Sequence, residues 1–313
     1  MHRYIIQRLI AAIPVLFIVA LVIFALLRIA PGDPAALFAG NDATPERIEA
    51  LREGLGLNRS LPVQLGMWFR DILKGDLGTS LTSHHKVTDL IWSRVVPTLS
   101  LTVLTELFTV GIGVPLGVLA AWKANTWIDR GVMLFASLGF SVPVFFLGFM
   151  MIWLFALQLG IFPPAGYVEP TENLWRYFHR LIMPSIATST ILIAYITRMT
   201  RASLLEVLRE DYIRTARSKG LTETVILVRH ALKNSALPVI TVIGLGFAAL
   251  LSGLVVTEQV FAIPGVGRLV IDAIVRRDYP VIQGAILLVS IVYVFVNLLV
   301  DLSYAYFDPR IRY

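Results

Sequence analysis

The sequence predicts an all-α integral membrane protein with six transmembrane helices. Of its 313 residues, 57% are hydrophobic and 15% are charged, whereas soluble domains contain about 45–50% apolar residues. The mean hydropathy is +0.75. The apolar residues are concentrated in six long blocks, and a block of about 20 residues is long enough to cross the hydrocarbon core of a bilayer.

The six apolar blocks give the order of the predicted spans. They cover residues 9–29, 97–121, 131–159, 182–199, 237–257 and 281–306. The first block exceeds the roughly 7–15-residue core of a cleaved signal peptide, and Ala30, Pro31 and Gly32 make a poor cleavage site after it. We therefore expect a retained first span. Pro184 is expected in the first turn of the fourth span.

Charged loops predict the orientation of the spans. Lys123 and Arg130 lie in the short connection after the second span, and basic residues crowd the segment 201–238. Six spans place both termini on the side of these loops, and the positive-inside rule makes that side the cytoplasm. The same rule accounts for the net charge of +6, so we do not expect a nucleic-acid partner.

The chain is accordingly expected to have three parts. Residues 1–30 form an N-terminal tail and the first span, and residues 31–96 form an extracytoplasmic segment. Residues 97–313 form a five-helix core that includes a cytoplasmic coupling loop at 201–238. The absence of cysteine excludes disulfides and thiolate metal sites, and no metal site is predicted elsewhere.

The coupling loop has the pattern of a helix, a glycine turn and a second helix. An apolar face recurs at every fourth position, through Leu204, Leu208, Tyr212 and Ala216. Glu210 stands four residues before Arg214, an orientation that supports a helix. Gly220 is expected to end this helix in a left-handed conformation. Thr222 is then a candidate N-cap for a second helix with Val225, Val228 and Leu232 on one face. We interpret this loop as a docking surface.

Part of this loop carries a family resemblance. Thr215 and Ala216, followed after three residues by Gly220, resemble the cytoplasmic "EAA" loop of permeases in binding-protein-dependent ABC importers. Arg214 stands where the name-giving glutamate would be. The resemblance implies that the following residues couple the permease to an ATPase: Asp211, Tyr212, Arg214, Thr215, Ala216, Arg217, Lys219, Gly220 and Leu221.

A second pair of segments, between the fifth and sixth apolar blocks, resembles the peptide/nickel branch of these permeases. The pair consists of Glu258, Phe261, Pro264, Gly265 and Gly267, then Arg277, Asp278, Tyr279 and Pro280. Pro264 and Gly265 indicate a turn, and residues 269–274 are expected to form a short helix. Matching segments run from near residue 9 to the end, so the resemblance covers essentially the whole chain.

The resemblance implies a type I ABC importer permease fold and ATP-driven import of di- or oligopeptides, with nickel chelates or glutathione as alternative cargo. It also implies a paralogous permease as heterodimer partner, two ATP-binding subunits, an extracytoplasmic solute-binding protein, and location in the bacterial cytoplasmic (inner) membrane. The sequence has no Gly-Lys pair and hence no Walker phosphate loop. ATP and Mg are therefore expected in the partner subunits, with no cofactor and no enzymatic activity in this chain.

Two other classes of protein remain open at this point. An ion-coupled secondary transporter would need charged partners deep in several spans, and Glu106 in the second span is the clear candidate. It could line a pathway or hydrogen-bond between helices. An intramembrane enzyme would need a nucleophile and a base at one depth, but all five histidines fall outside the spans.

Small residues in the second span and basic residues at the end of the fourth span are expected to have structural roles. Gly111, Gly113 and Gly117 in the second span, together with Pro115, predict close helix packing or a bend. Arg198 and Arg201, at the end of the fourth span, are expected to be positive-inside anchors.

Overall fold

The computed structural model describes residues 2–29, 34–39, 44–54 and 56–307, and these residues are almost entirely helical. The helices are α1 (His2–Ile29), α2 (Pro34–Ala39), α3 (Pro45–Gly54), α4 (Leu61–Leu73), α5 (Val87–Trp122), α6 (Trp127–Ser141), α7 (Val144–Met151), α8 (Leu174–Val207), α9 (Asp211–Ser218), α10 (Glu223–Val225), α11 (Leu232–Gly253), α12 (Val255–Val260), α13 (Val266–Val275) and α14 (Tyr279–Phe307). Helix α7 continues as a π-helix over Ile152–Gln158, and α10 continues as one over Ile226–Ala231.

Within the described residues, five helical stretches are long and apolar enough to cross a membrane. They are Ile6–Ala25, Val87–Trp122, Leu174–Val207, Glu223–Leu251 and Tyr279–Leu302. Helices α6 and α7 provide a sixth only as a pair, because they are bent by 99° at the break between them. The structure thus agrees with the predicted membrane-protein fold class.

The third span is not the straight helix that we expected over residues 131–159. Pro143 lies at the break with extended backbone (φ −60°, ψ 137°), and Val142 before it is extended as well. Proline lacks the amide hydrogen that a helix interior needs, and it disfavours the helical conformation of the residue before it. These two effects end α6 at Ser141.

Helix α8 begins well before the predicted fourth span. Asn173 caps its start, since the Asn173 side chain accepts a hydrogen bond from the amide of Arg176 at 2.9 Å. Pro184 consequently lies inside the helix, and its expected place in the first turn is wrong. Transmembrane helices tolerate an internal proline because neighbouring groups satisfy the freed carbonyl.

The chain forms two compact units, each with its own core. The first contains Pro97–Pro264 together with the described residues up to Ile6 and from Phe295 onward. Leu101, Leu181 and Ile263 are fully buried in it. A Cβ on Gly117 would lie 2.5 Å from Cβ of Thr200, which confirms the predicted close packing of α5, here against α8.

The other two glycines of α5 differ from each other. A Cβ on Gly113 would lie 3.1 Å from the Ile196 side chain, so this glycine also lies at the contact with α8. A Cβ on Gly111 would meet nothing within 4 Å. The packing prediction is therefore wrong for Gly111, because only positions four apart along α5 return to the face that meets α8.

The second unit contains Gln7–Val96 and Gly265–Val294. Its core consists of Val87, Ile91, Val266, Ala273, Val281 and Ala285. Helix α4 packs on α1 through aromatic rings, with the centroids of Phe17 and Phe69 5.3 Å apart. The expected short helix over 269–274 is present as α13, which is longer at both ends.

Large apolar side chains are exposed along several of the long helices. Ile13, Leu107 and Leu134 are each more than half exposed. Such surface is unfavourable in water, and contiguous apolar patches on proteins mark contacts with lipid or with a partner. This distribution fits a chain that crosses a bilayer.

Candidate functional site

The coupling loop folds into a compact helical surface. After α8 ends at Val207, a turn leads into α9. Ile213 and Ala216 of α9 are buried and pack with Leu204, Ile226 and Ala231. The loop is therefore anchored by an apolar cluster on its inner side. We call the exposed residues of α9, of the Gly220 turn and of α10 the docking surface.

The break between α8 and α9 corrects the predicted continuous helix through residues 201–219. Positions four apart drift by about 40° per step on a helix of 3.6 residues per turn, so a straight helix would carry Ala216 away from Leu204. The extended Glu210 (φ −66°, ψ 148°) restarts the helix and turns Ala216 inward. Tyr212 is exposed, and Arg214 pairs with Asp211 rather than with Glu210.

Gly220 ends α9 in the left-handed conformation, with φ +79°, as predicted. Its amide donates to the carbonyl of Arg217 at 2.9 Å, and the amide of Leu221 donates to the carbonyl of Ala216 at 3.4 Å. These two bonds form a Schellman motif. Across the turn, Arg217 Nε lies 2.7 Å from Glu223 Oε1, and this carboxylate raises the pKa of Arg217 above its ordinary value.

The second helix of the loop presents a different face from the predicted one. Thr222 is at the N-cap position, although its side chain makes no capping hydrogen bond. Val225 and Val228 are exposed, whereas Ile226 and Leu227 are buried. The segment Ile226–Ala231 is a π-helix, whose bonds join residues five apart. The wider turn shifts the buried face away from the spacing expected of an α-helix.

The nine predicted coupling residues lie on α9 and on the turn that follows it. Eight of them are exposed and Ala216 is buried. The buried positions Ile213, Ile226, Leu227 and Ala231 were missed by the sequence reasoning, and their apolar character was the available indication. The outer side is mostly basic, with Arg214, Arg217, Lys219 and Arg229 exposed.

The end of α8 is tied to α6 by an ion pair. Arg201 Nε lies 2.6 Å from Asp129 Oδ1, and Arg201 Nη2 lies 2.7 Å from Asp129 Oδ2. The Asp129 side chain is only 5% exposed. Arg198 donates to Ser137 Oγ at 2.8 Å and stacks on Phe140. Arg198 and Arg201 thus make specific contacts with α6, and their role as positive-inside anchors stays a prediction.

Glu106 lies in a buried polar stretch of α5. Both of its carboxylate oxygens are buried without a hydrogen-bond partner in the described structure, and so are the hydroxyls of Thr105 and Thr109. A buried polar atom without a partner costs free energy, so these groups are candidates for contact with something that the single chain does not supply.

The segment before Pro264 belongs to the first unit, and much of it is buried. Glu258 of α12 is fully buried, and its Oε1 accepts a hydrogen bond from Thr98 Oγ1 at 2.7 Å. Phe261 is 2% exposed, and its carbonyl accepts the amide of Gly166 at 2.8 Å. Glu258 and Phe261 thus link α12 to α5 and to the loop at Gly166 within the first unit.

The segment after Pro264 belongs to the second unit. Asp278 is 2% exposed and accepts hydrogen bonds from the hydroxyls of Ser80 (2.5 Å) and Thr82 (2.8 Å) and from the amide of Leu81 (3.1 Å). Gly265 and Tyr279 are buried, Pro264, Gly267 and Pro280 are half-buried, and Arg277 is exposed. Among the residues of this segment that carry the family resemblance, Arg277 is the exposed one.

Comparison with known proteins identifies the protein family of this chain. Residues 113–313 match the family described as "Binding-protein-dependent transport system inner membrane component". Residues 1–102 match the N-terminal region of the membrane component of such transport systems. The chain belongs to this family.

Full-length relatives of this permease carry names that concern peptides. It is 48% identical to "Probable peptide ABC transporter permease protein y4tP" of Sinorhizobium fredii, and 42% identical to "Dipeptide transport system permease protein DppB" of Alkalihalophilus pseudofirmus. It is also 43% identical to "Glutathione transport system permease protein GsiC" of Escherichia coli. Each comparison covers 100% of both chains.

The fold of the permease resembles that of a solved ABC importer. An inward-facing structure of the MetNI methionine ABC transporter matches with a TM-score of 0.60 at 19% identity, over 71% of this chain and 97% of the other. The family match and the full-length relatives show that the chain is a membrane permease subunit of an ABC importer, and the solved structure shows its type I permease fold. It is a multi-pass integral membrane protein. Permeases of this family operate with ATP-binding subunits and a solute-binding protein and lack ATPase sites of their own.

Proposed function

We propose that this permease forms half of the pathway by which an ABC importer moves di- or oligopeptides across the bacterial cytoplasmic membrane. The observation that carries the proposal is the full-length, 48% identity to a permease named for peptides. The second half of the pathway would be a paralogous permease, and two ATP-binding subunits would hold ATP and Mg.

The docking surface supports the coupling part of this proposal. It is exposed and charged, with Arg214, Arg217 and Lys219 on it, yet it rests on the buried cluster around Ile213 and Ile226. A surface that rests on a close-packed core moves as a rigid body when a partner presses on it, because close-packed interiors deform little. We infer that closure of the ATP-binding subunits moves α9 and α10 together. The ion pair between Arg201 and Asp129 would carry this movement from the end of α8 into α6.

Purification of the complex from its native host tests the assembly. The expected result is one copy of this chain with one paralogous permease and two ATP-binding subunits. The chain alone should not hydrolyse ATP. Hydrolysis by this chain after removal of every other subunit, or a stable homodimer in place of the heterodimer, would contradict the proposal.

Cysteine labelling in intact cells tests the predicted orientation. A cysteine at Thr79 should react with an impermeant maleimide, whereas a cysteine at Ser218 should react only after the membrane is opened. Both positions are exposed in the structure, so the difference reports on sidedness rather than on burial. The opposite pattern would refute cytoplasmic termini.

The cargo is tested through the solute-binding protein and through transport. Proteoliposomes with the full complex should accumulate labelled dipeptides when ATP is enclosed in the lumen, where it reaches complexes whose cytoplasmic side faces inward. The relative named for glutathione supports a second candidate cargo, γ-glutamyl peptides of that type. Uptake of glutathione that saturates at lower concentrations than any α-linked dipeptide would favour this second candidate.

Glu106 is proposed to line the translocation pathway. Its buried carboxylate lacks a partner in the described structure, and an intramembrane ionisable residue usually faces protein or water in a pathway. Glu106→Gln should lower the transport rate while ATP-binding subunits remain attached. Thr102→Val is a useful control, because the Thr102 hydroxyl is bonded within α5 to the carbonyl of Thr98 at 2.8 Å. Equal transport by the Glu106 variant and the parent would remove the pathway role.

We propose that the predicted extracytoplasmic segment 31–96 and the segment 261–280 receive the solute-binding protein. Arg277 is exposed and has φ +55°, an unusual conformation for a residue other than glycine that often accompanies function. A photocrosslinker at Arg277 should capture the binding protein during turnover. A crosslinker at exposed Ser218, on the predicted cytoplasmic side, should not, and capture from neither position or equally from both would contradict this role.

A further inference from the structure

A cleft of about 340 Å³ lies at the beginning of α8, far from the docking surface. Three basic side chains, Arg176, His179 and Arg180, contribute to its lining, together with the loop that precedes the helix. No aspartate or glutamate lines it. The cleft is therefore built for a negatively charged group rather than for a cation.

The walls of this cleft are fixed by hydrogen bonds. Arg180 Nη1 donates to the carbonyl of Ala165 at 2.5 Å, and His179 Nε2 lies 2.8 Å from the carbonyl of Ile161. The amide of Gly166 is bonded in turn to the carbonyl of Phe261 at 2.8 Å. Residues 160–168 are thus held against α8, and the two arginines face a shaped surface.

The positive charge of the cleft is not neutralised locally. Among the described residues, no carboxylate oxygen lies within 4.0 Å of the guanidinium of Arg176 or Arg180. Glu169 and Glu172 are close in sequence but line neither wall. Two guanidinium groups one helical turn apart can bind a phosphate or carboxylate through several charge-assisted hydrogen bonds.

The position along α8 indicates which anion is available. Arg180 and Arg201 lie on the same helix, about 21 residues apart, which corresponds to about 30 Å, the thickness of the hydrocarbon core. The cleft therefore lies at the membrane surface opposite the docking surface. Leu174, Trp175 and Phe178, on the same first turns of α8, are exposed, and such aromatic side chains favour the headgroup region.

We propose that this cleft binds the phosphate of an anionic phospholipid in the leaflet opposite the docking surface. The guanidinium groups of Arg176 and Arg180 hold the headgroup phosphate, and the exposed side chains of Trp175 and Phe178 lie along its acyl chains. Basic pockets beside transmembrane helices bind lipid headgroups in this way. The bound lipid would fix the loop 160–168 relative to the bilayer surface.

Photocrosslinking in lipid nanodiscs tests this site. The complete transporter is reconstituted with photoactivatable phosphatidylglycerol or, separately, photoactivatable phosphatidylcholine, and the labelled peptides are mapped by mass spectrometry. Labelling of residues 160–180 should depend on phosphatidylglycerol. Arg176→Gln should lower it by about tenfold, since about 1.4 kcal/mol corresponds to tenfold and a charge-assisted hydrogen bond contributes about that much. Arg176→Lys, which keeps the charge, should restore most of it.

Arg176 is the preferred position because its side chain makes no hydrogen bond in the described structure, so its replacement leaves the walls intact. The matched control is Arg276→Gln, which removes another exposed arginine and should leave labelling unchanged. Equal labelling in the parent and in Arg176→Gln would overturn the proposal. Displacement of the lipid by peptides with a free carboxylate, but not by amidated peptides, would also overturn it and assign the cleft to cargo.

Discussion

Replacement of Gly220 separates the docking role of the coupling loop from its folding. The residue has φ +79° and closes the Schellman motif at the end of α9. A Cβ added there would meet nothing within 4 Å. The cost of a side chain is therefore backbone strain alone, with no contribution from a steric clash inside the chain.

The strain is large enough to affect docking and too small to unfold the protein. A left-handed conformation costs a residue other than glycine roughly 1–2 kcal/mol, and β-branched residues are disfavoured further. A free loop can relax into another geometry, but the docked loop must return to the native one. Gly220→Ala should therefore weaken association with the ATP-binding subunits by up to about 5–30-fold, with a modest loss of transport. Gly220→Val should strongly reduce both.

The assay is a quantitative pull-down of ATP-binding subunits at limiting concentration, paired with uptake by proteoliposomes at equal permease content. Gly75 is a matched control, because it also has φ +79° and a Cβ there would also meet nothing within 4 Å. It lies in the predicted extracytoplasmic segment. Gly75→Val carries the same kind of strain and should leave ATP-binding subunits attached.

Two results would refute this reasoning. If Gly220→Val retains the ATP-binding subunits and transports like the parent at equal abundance, the coupling role of the loop is wrong. If Gly75→Val loses the subunits as strongly as Gly220→Val does, the effect is a general consequence of strain and says nothing about docking.

Three further predictions concern contacts inside the chain; the first two are measured as thermal stability in detergent, and the third as amide hydrogen exchange. Gly117→Ala should destabilise the first unit by about 1–3 kcal/mol through overpacking, whereas Gly111→Ala, in open space, should not; equal effects would contradict the observed contact. Arg201→Gln should cost about 3 kcal/mol because it leaves the buried Asp129 carboxylate unpaired, and the double variant with Asp129→Asn should recover part of that loss, so strictly additive effects would refute the pairing. Asp278→Ala should release the segment that it holds, seen as faster amide exchange at residues 80–82, and unchanged exchange there would show that its hydrogen bonds contribute nothing.

The long apolar helices could be predicted from the sequence, whereas their breaks could not. Hydropathy detects stretches that prefer lipid, and each predicted span corresponds to a helix or to the bent pair α6 and α7. Hydropathy does not record direction, so a bend of 99° at Pro143 leaves it unchanged. The proline was visible in the sequence, but α5 keeps Pro97 and Pro115 inside one helix. Tertiary packing decides between these outcomes.

The glycine turn of the coupling loop was predictable because its cause is local. A left-handed residue after a helix favours glycine on steric grounds, and Gly220 fulfils that expectation. The faces of the flanking helices depended on a restart at Glu210 and on a π-helix over Ile226–Ala231. Both features change the helical period, and neither has a residue type that requires it. The sequence pattern therefore indicated the loop, its turn and the buried Leu204 and Ala216, but it also assigned the exposed Tyr212, Val225 and Val228 to the inner faces.

The two segments around Pro264 illustrate why family-specific residues need not form the surface that meets a partner. Glu258 and Asp278 both belong to the segments that resemble the peptide/nickel branch. Both carboxylates are buried and accept hydrogen bonds from hydroxyl groups within their own units. A buried carboxylate restricts its neighbours strongly, because each hydrogen bond that is lost leaves a charge without compensation. Such residues can be as specific to a family as those that touch a partner, so the binding-protein contact is better sought at exposed Arg277 than at either acid.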